Sequence, residues 1–259
     1  MAYFRIEYFS NALRRTTSFE LLIPNDPRAE AAAGVEGKLI RTLFLLHGYT
    51  GNAGNWVPWG LPEKYRFAIV MPTAENSFYL NGEATGRAYQ TMVGEELVDY
   101  VRKTFGLAKT REETCIAGLS MGGFGALHTG LAYPDTFGKI TALSSALIVH
   151  EVATMQPGGG NGVANYAYYR ECFGDPETVL ERDVNPEVLI RKLKAAGKEI
   201  PGIYMACGTE DFLLENNRQM HAFLNAEQVP HQYYESTGQH DMVFWQEYIA
   251  KAVEWMFGS

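Results

Sequence analysis

Short, unbroken apolar runs alternate along this chain with segments of helical periodicity, and few folds accommodate that alternation. Thr42-Leu43-Phe44-Leu45-Leu46 and Phe67-Ala68-Ile69-Val70-Met71 are apolar on nearly every residue and are followed closely by Gly48 and Pro72. Strands covered on both faces read this way, whereas strands with one wet face alternate apolar and polar. Further strands are expected at 114–117, 140–143, 203–207 and 231–235. Between and after them, helices are expected at 88–105, where Leu97, Val98, Val101 and Phe105 recur at three- and four-residue spacing, and at 123–132, 186–196, 216–226 and 243–257. This rhythm predicts an α/β fold, a mostly parallel central sheet with helices on both faces.

Two segments at the N-terminal end, 3–9 and 18–23, are expected to enter the sheet as an antiparallel pair, the second stopped by Pro24. The stretch 25–37 reads as an exposed connection. From 146 to about 185 the rhythm breaks into Gly158-Gly159-Gly160, Asn161-Gly162 and the tyrosines Tyr166, Tyr168 and Tyr169. That stretch is expected to be a small cap-like insertion over one end of the sheet, within a single domain spanning 1–259. Its aromatics are also a candidate subunit contact, which leaves a homo-oligomer open.

Charge and cysteine usage exclude several function classes. With 22 Lys+Arg against 30 Asp+Glu the net charge is −8, and no basic cluster offers the positive face that nucleic acid or an anionic membrane requires. The cysteines, Cys115, Cys172 and Cys207, form no Cys-x-x-Cys pair, which suits neither a disulfide framework nor a zinc site. No metal is expected. An acid, Glu7, stands where a signal peptide would be apolar, and no run of 18 apolar residues occurs, so a cytoplasmic location is expected.

Gly118-Leu119-Ser120-Met121-Gly122 follows a buried strand and precedes a helical pattern, the context in which G-x-S-x-G exposes a serine hydroxyl on a sharp turn. A serine needs a base within hydrogen-bond reach and a carboxylate to orient that base. In a doubly wound sheet such groups come from loops at the carboxyl ends of strands. Asp211 lies four residues past Cys207, with Glu210 as its rival, and His240 lies five past Glu235. The order Ser120, Asp211, His240 is that of α/β-hydrolases. Oxyanion donors are expected at the backbone N–H groups of Met121 and of Tyr49, in the loop His47-Gly48-Tyr49-Thr50-Gly51. His47 is read as fixing that loop and His128 as packed. Trp56, Trp59, Phe78, Tyr79 and Phe212 fall in loops near the site and are candidates for lining an acyl or aryl pocket, or for packing loops onto the sheet. Trp245 and Trp255 are read as core.

The segments Leu45-Leu46-His47-Gly48-Tyr49-Thr50-Gly51-Asn52, Ala117 to Leu127, Cys207-Gly208-Thr209-Glu210-Asp211-Phe212-Leu213 and Gly238-Gln239-His240-Asp241 resemble the esterase D superfamily, most closely its bacterial tributyrin-esterase branch. The resemblance runs from Ile6-Glu7-Tyr8 to the final helix. It implies an α/β-hydrolase fold without a cofactor, the triad Ser120, Asp211 and His240, and oxyanion donors at Tyr49 and Met121. The expected activity is that of a serine carboxylesterase acting on small esters with short acyl or small aryl groups. Its rivals are an S-formylglutathione hydrolase-type thioesterase and a non-catalytic binding module on the same fold.

Overall fold

The computed structural model describes residues 1–24 and 40–258; the expected connection at 25–37 lies outside them. The described residues build an eight-stranded sheet from β1 (Ala2–Ser10), β2 (Arg15–Ile23), β3 (Arg41–Leu46), β4 (Phe67–Pro72), β5 (Thr114–Leu119), β6 (Lys139–Leu143), β7 (Gly202–Gly208) and β8 (His231–Ser236), in the order β1-β2-β4-β3-β5-β6-β7-β8. The hairpin β1–β2 pairs antiparallel with β4, and every strand pair from β4 through β3 to β8 is parallel.

The unbroken apolar runs are explained by two cores, one on each face. In β3, Leu43 and Leu45 point to one face, and Phe44 and Leu46 to the other. The first face is covered by α1 (Leu61–Tyr65) and, at the C-terminus, by the long helix α8 (Met242–Phe257). Helices α2 (Leu97–Phe105), α3 (Met121–Ala132), α6 (Pro186–Ala195) and α7 (Leu214–Ala226) bury apolar side chains on the opposite face. Between α3 and α6, segment 146–185 contributes no strand; it folds as α4 (Val149–Val152), α5 (Tyr166–Phe173) and a 3-10 turn.

The span 88–105 is less regular than its periodicity predicts. A short turn, Tyr89–Thr91, leads into a π-helical turn at Met92–Glu96 before α2 begins. The wider turn coincides with Gly94, whose Cα lies so close to the Tyr133 ring that a Cβ would come within 2.3 Å of it. α8 starts where Asp241 accepts hydrogen bonds from the N–H groups of Val243 and Phe244, an N-cap that satisfies two otherwise unpaired donors. No described helix is long and apolar enough to cross a membrane.

His128, buried on α3, is placed by packing. Its ring stacks on Phe124 and its Nε2–H donates to the Asp183 carbonyl at 2.7 Å, which leaves a buried Nδ1 lone pair without a partner. Burial lowers its pKa to about 4. Between about pH 6.5 and 4 the unfolded chain therefore binds a proton that the folded chain refuses, and stability falls as pH drops through that window. The expected loss is about 2–3 kcal/mol by pH 4.5. Urea unfolding at pH 7 and 4.5 should show a smaller acid loss in His128→Gln than in the parent; equal losses would contradict this account.

Candidate active site

Three loops at the carboxyl ends of β5, β7 and β8 bring Ser120, Asp211 and His240 together. The His240 ring faces both Asp211 oxygens with Nδ1, at 3.0 and 2.9 Å, and the Ser120 hydroxyl with Nε2, at 3.0 Å. A carboxylate accepts only, so Nδ1 carries the proton and Nε2 presents its lone pair to the Ser120 O–H. The Asp211 side chain is fully buried. Burial by itself pushes its carboxyl upward, but the hydrogen bonds from His240 and from the Leu213 N–H outweigh that and hold it below the usual carboxylate range. Asp211 is thus ionised at neutral pH. Glu210, the rival acid, is exposed.

The serine occupies a strained turn. Its φ of 54° and ψ of −120° lie where side-chain-bearing residues are uncommon. The turn is held on both sides: Ser120 N–H donates to Leu143 O at 2.9 Å, and Ser120 O accepts from Phe124 and Ala146 N–H at 3.1 and 3.0 Å. Gly118 and Gly122 make it sterically feasible, because a Cβ on Gly118 would sit 1.9 Å from Gly122 O and one on Gly122 would sit 2.5 Å from His47 O.

Met121 is the first residue of α3, so its N–H has no carbonyl in the preceding helical turn to bond. The loop after β3 lies beside it, and Gly48, Tyr49, Met121 and Ser120 line one cavity. His47 fixes this loop. Its Nδ1–H donates to Gly48 O at 2.8 Å, and its Nε2 accepts the Ala74 N–H at 3.0 Å. Burial holds its pKa below that of an ordinary imidazole, which keeps it neutral.

The cavity has a volume of about 690 Å³. Trp56, Phe78 and Phe212 line it; Tyr79 and Trp59 are not among the lining residues. Phe78 and Tyr79 both adopt positive φ, 52° and 56°. Tyr79 lies behind the loop, fully buried against Gly125, where its hydroxyl donates to His47 O at 3.0 Å. Its place is that of a prop for the Tyr49 loop. Trp59 stacks on Tyr3 and is largely exposed.

Two features escape a reading by sequence. Trp245, expected as core, is buried but also lines the cavity, with its ring edge-on to His240 at 4.9 Å while Phe212 lies 4.6 Å away. The imidazole is thus flanked by two rings. Asn217, inside α7, is buried and bonds three ways: Oδ1 accepts Ser145 N–H, and Nδ2 donates to Ser145 O and Leu213 O. It ties the chain beyond β6 to the loop that carries Asp211. Only its burial betrays it, since one Asn in a helical pattern carries no sequence signal.

Residues 10–256 match the family model described as "Putative esterase". A protein named acetyl esterase from Caldicellulosiruptor saccharolyticus is 41% identical over 261 residues, covering 99% of this chain and 98% of that one. Two solved structures from Staphylococcus aureus are each 26% identical and each cover 99% of this chain and 98% of theirs. One is the substrate-bound fluorophosphonate-binding serine hydrolase FphF, with a TM-score of 0.83; the other is the S-formylglutathione hydrolase FrmB as apoenzyme, with a TM-score of 0.82.

Proposed function

This chain belongs to the Esterase family, and we propose from that premise that Ser120, His240 and Asp211 are the catalytic triad of a carboxylesterase for short acyl esters. The reaction class is that of a serine ester hydrolase acting on small esters. The observation that carries the assignment of roles is the continuous line of hydrogen bonds from Asp211 through His240 to Ser120.

In the proposed reaction Ser120 Oγ attacks the ester carbonyl while His240 Nε2 takes its proton, and Asp211 stabilises the imidazolium that forms. The carbonyl oxygen, now negative, is held by the Tyr49 and Met121 N–H groups, each such donor contributing on the order of 3 kcal/mol in the transition state. His240 then gives its proton to the departing alcohol, leaving an acyl group on Ser120. Water attacks that acyl group with His240 again as base, and the acid leaves. Phe212 and Trp245 flank the imidazole that makes both proton transfers.

The acetyl esterase relative supports acetyl and other short acyl groups, tributyrin among the expected substrates, and segment 146–185 supplies the cap that bounds them. Three buried, unpaired cysteines support a reducing, cytoplasmic setting. Similarity to the S-formylglutathione hydrolase gives the thioesterase reading its footing. Acetyl and butyryl esters are expected to exceed S-formylglutathione in kcat/KM by at least about tenfold; the reverse ranking would transfer the assignment to a thioesterase.

A further inference from the structure

The cavity beside the triad is electrostatically one-sided. Among the described residues lining it Glu151 is an acid, and none is Lys or Arg. Glu151 stands on α4, where its Oε1 accepts a hydrogen bond from Asn216 Nδ2 at 2.8 Å. An amide positions a carboxylate without cancelling its charge. The adjacent His150 is directed elsewhere, with Nε2 2.8 Å from Glu187 Oε1. Burial chiefly raises the Tyr169 phenol, its hydrogen bond to Asn161 lowers it, and Tyr49 and Glu151 each add to the rise. Tyr169 in turn donates its O–H to Asn161 Oδ1 at 2.9 Å, and both residues line the same cavity as Glu151. Elsewhere the lining offers aromatic faces, the exposed ring of Phe212 among them, and such faces attract cations rather than anions.

We infer that Glu151 makes this cavity select substrates by charge, accepting neutral and cationic esters and disfavouring anionic ones, acyl-glutathione thioesters included. The inference rests on the esterase reading and narrows its substrate class. Glu151 is exposed, so a carboxylate about 7 Å from a unit substrate charge changes binding by about threefold at the dielectric of water, which separates a cation from an anion by about sevenfold, and by more where the cavity wall excludes water. Added salt should weaken the effect. Acyl-glutathione carries two carboxylates against one ammonium, so it enters with a net negative charge that no lining cation offsets.

Two ester series test this. In the first, acetate is esterified with choline, with its neutral carbon isostere 3,3-dimethylbutanol, or with an alcohol sulfonate. In the second, 4-nitrophenol is esterified with a cationic, a neutral or an anionic short acid. In at least one series, at low salt, kcat/KM for the cationic member is expected to exceed that for the anionic member by about tenfold or more. Glu151→Gln should shrink that ratio to within about twofold, and Glu151→Lys should invert it. A ratio unchanged in both variants, or a parent enzyme that prefers the anionic members, would overturn the proposal. Failure to hydrolyse any of the six, with Ser120 unlabelled by a fluorophosphonate, would overturn the catalytic reading beneath it.

Discussion

Ser120→Ala is expected to lower kcat/KM for 4-nitrophenyl acetate by about four to six orders of magnitude, because members of a triad act as a unit and the remaining groups cannot form an acyl-enzyme. Covalent labelling by a fluorophosphonate should vanish with it. Stability should stay within about 1 kcal/mol of the parent. Alanine occupies the same backbone position, and the bonds that hold this turn, to Leu143 O and from Phe124 and Ala146 N–H, all use main-chain atoms. The measurement is therefore clean: activity and labelling lost, urea midpoint retained. Residual turnover above about 1% would mean that another group performs the attack and would sink the assignment of Ser120 as nucleophile.

Gly118→Ala should do the opposite, abolishing the fold and not only the chemistry. A Cβ there would lie 1.9 Å from Gly122 O and 2.2 Å from Gly122 C. Both are main-chain atoms at the start of α3, so no rotamer change relieves the clash. Either β5 or α3 must move, and both are buried along their length. The expected cost is about 4 kcal/mol or more, at the extreme of what single substitutions do, read as a lowered denaturation midpoint or as insoluble protein. Gly162→Ala, where a Cβ would meet nothing within 4 Å, is the control and should be near neutral in stability. A Gly118→Ala protein as stable as the parent would show that the strand and helix approach less closely than described.

The sheet and the triad were legible for related reasons. Strands buried on both faces leave unbroken apolar runs, and Ser120 and Asp211 follow two of them, β5 and β7; His240 follows the partly buried edge strand β8 and stands out by its place between the last strand and the final helix. Side-chain direction was less legible. Phe78 and Tyr79 are neighbours of similar character, yet one ring enters the cavity and the other lies behind the Tyr49 loop; two successive positive φ values separate them, and no pattern announces those. Trp245 fits the apolar periodicity of α8 and so reads as core, although its position near the start of that helix also brings it against His240. The π-helical turn at Met92–Glu96 preserves apolar spacing well enough to pass for regular helix.

Asn217 couples two parts of the molecule that are distant in sequence. Its single amide grips the main chain at Ser145 and at Leu213, so it acts as a crossbar between the nucleophile's side of the sheet and the acid's side. Part of the spacing of the proton relay is thereby set beneath the floor of the cavity. The cavity-lining residues of segment 146–185 beyond Ala146, whose N–H is itself bonded to Ser120 O, make none of these crossbar bonds, so a change of wall there leaves this gauge in place.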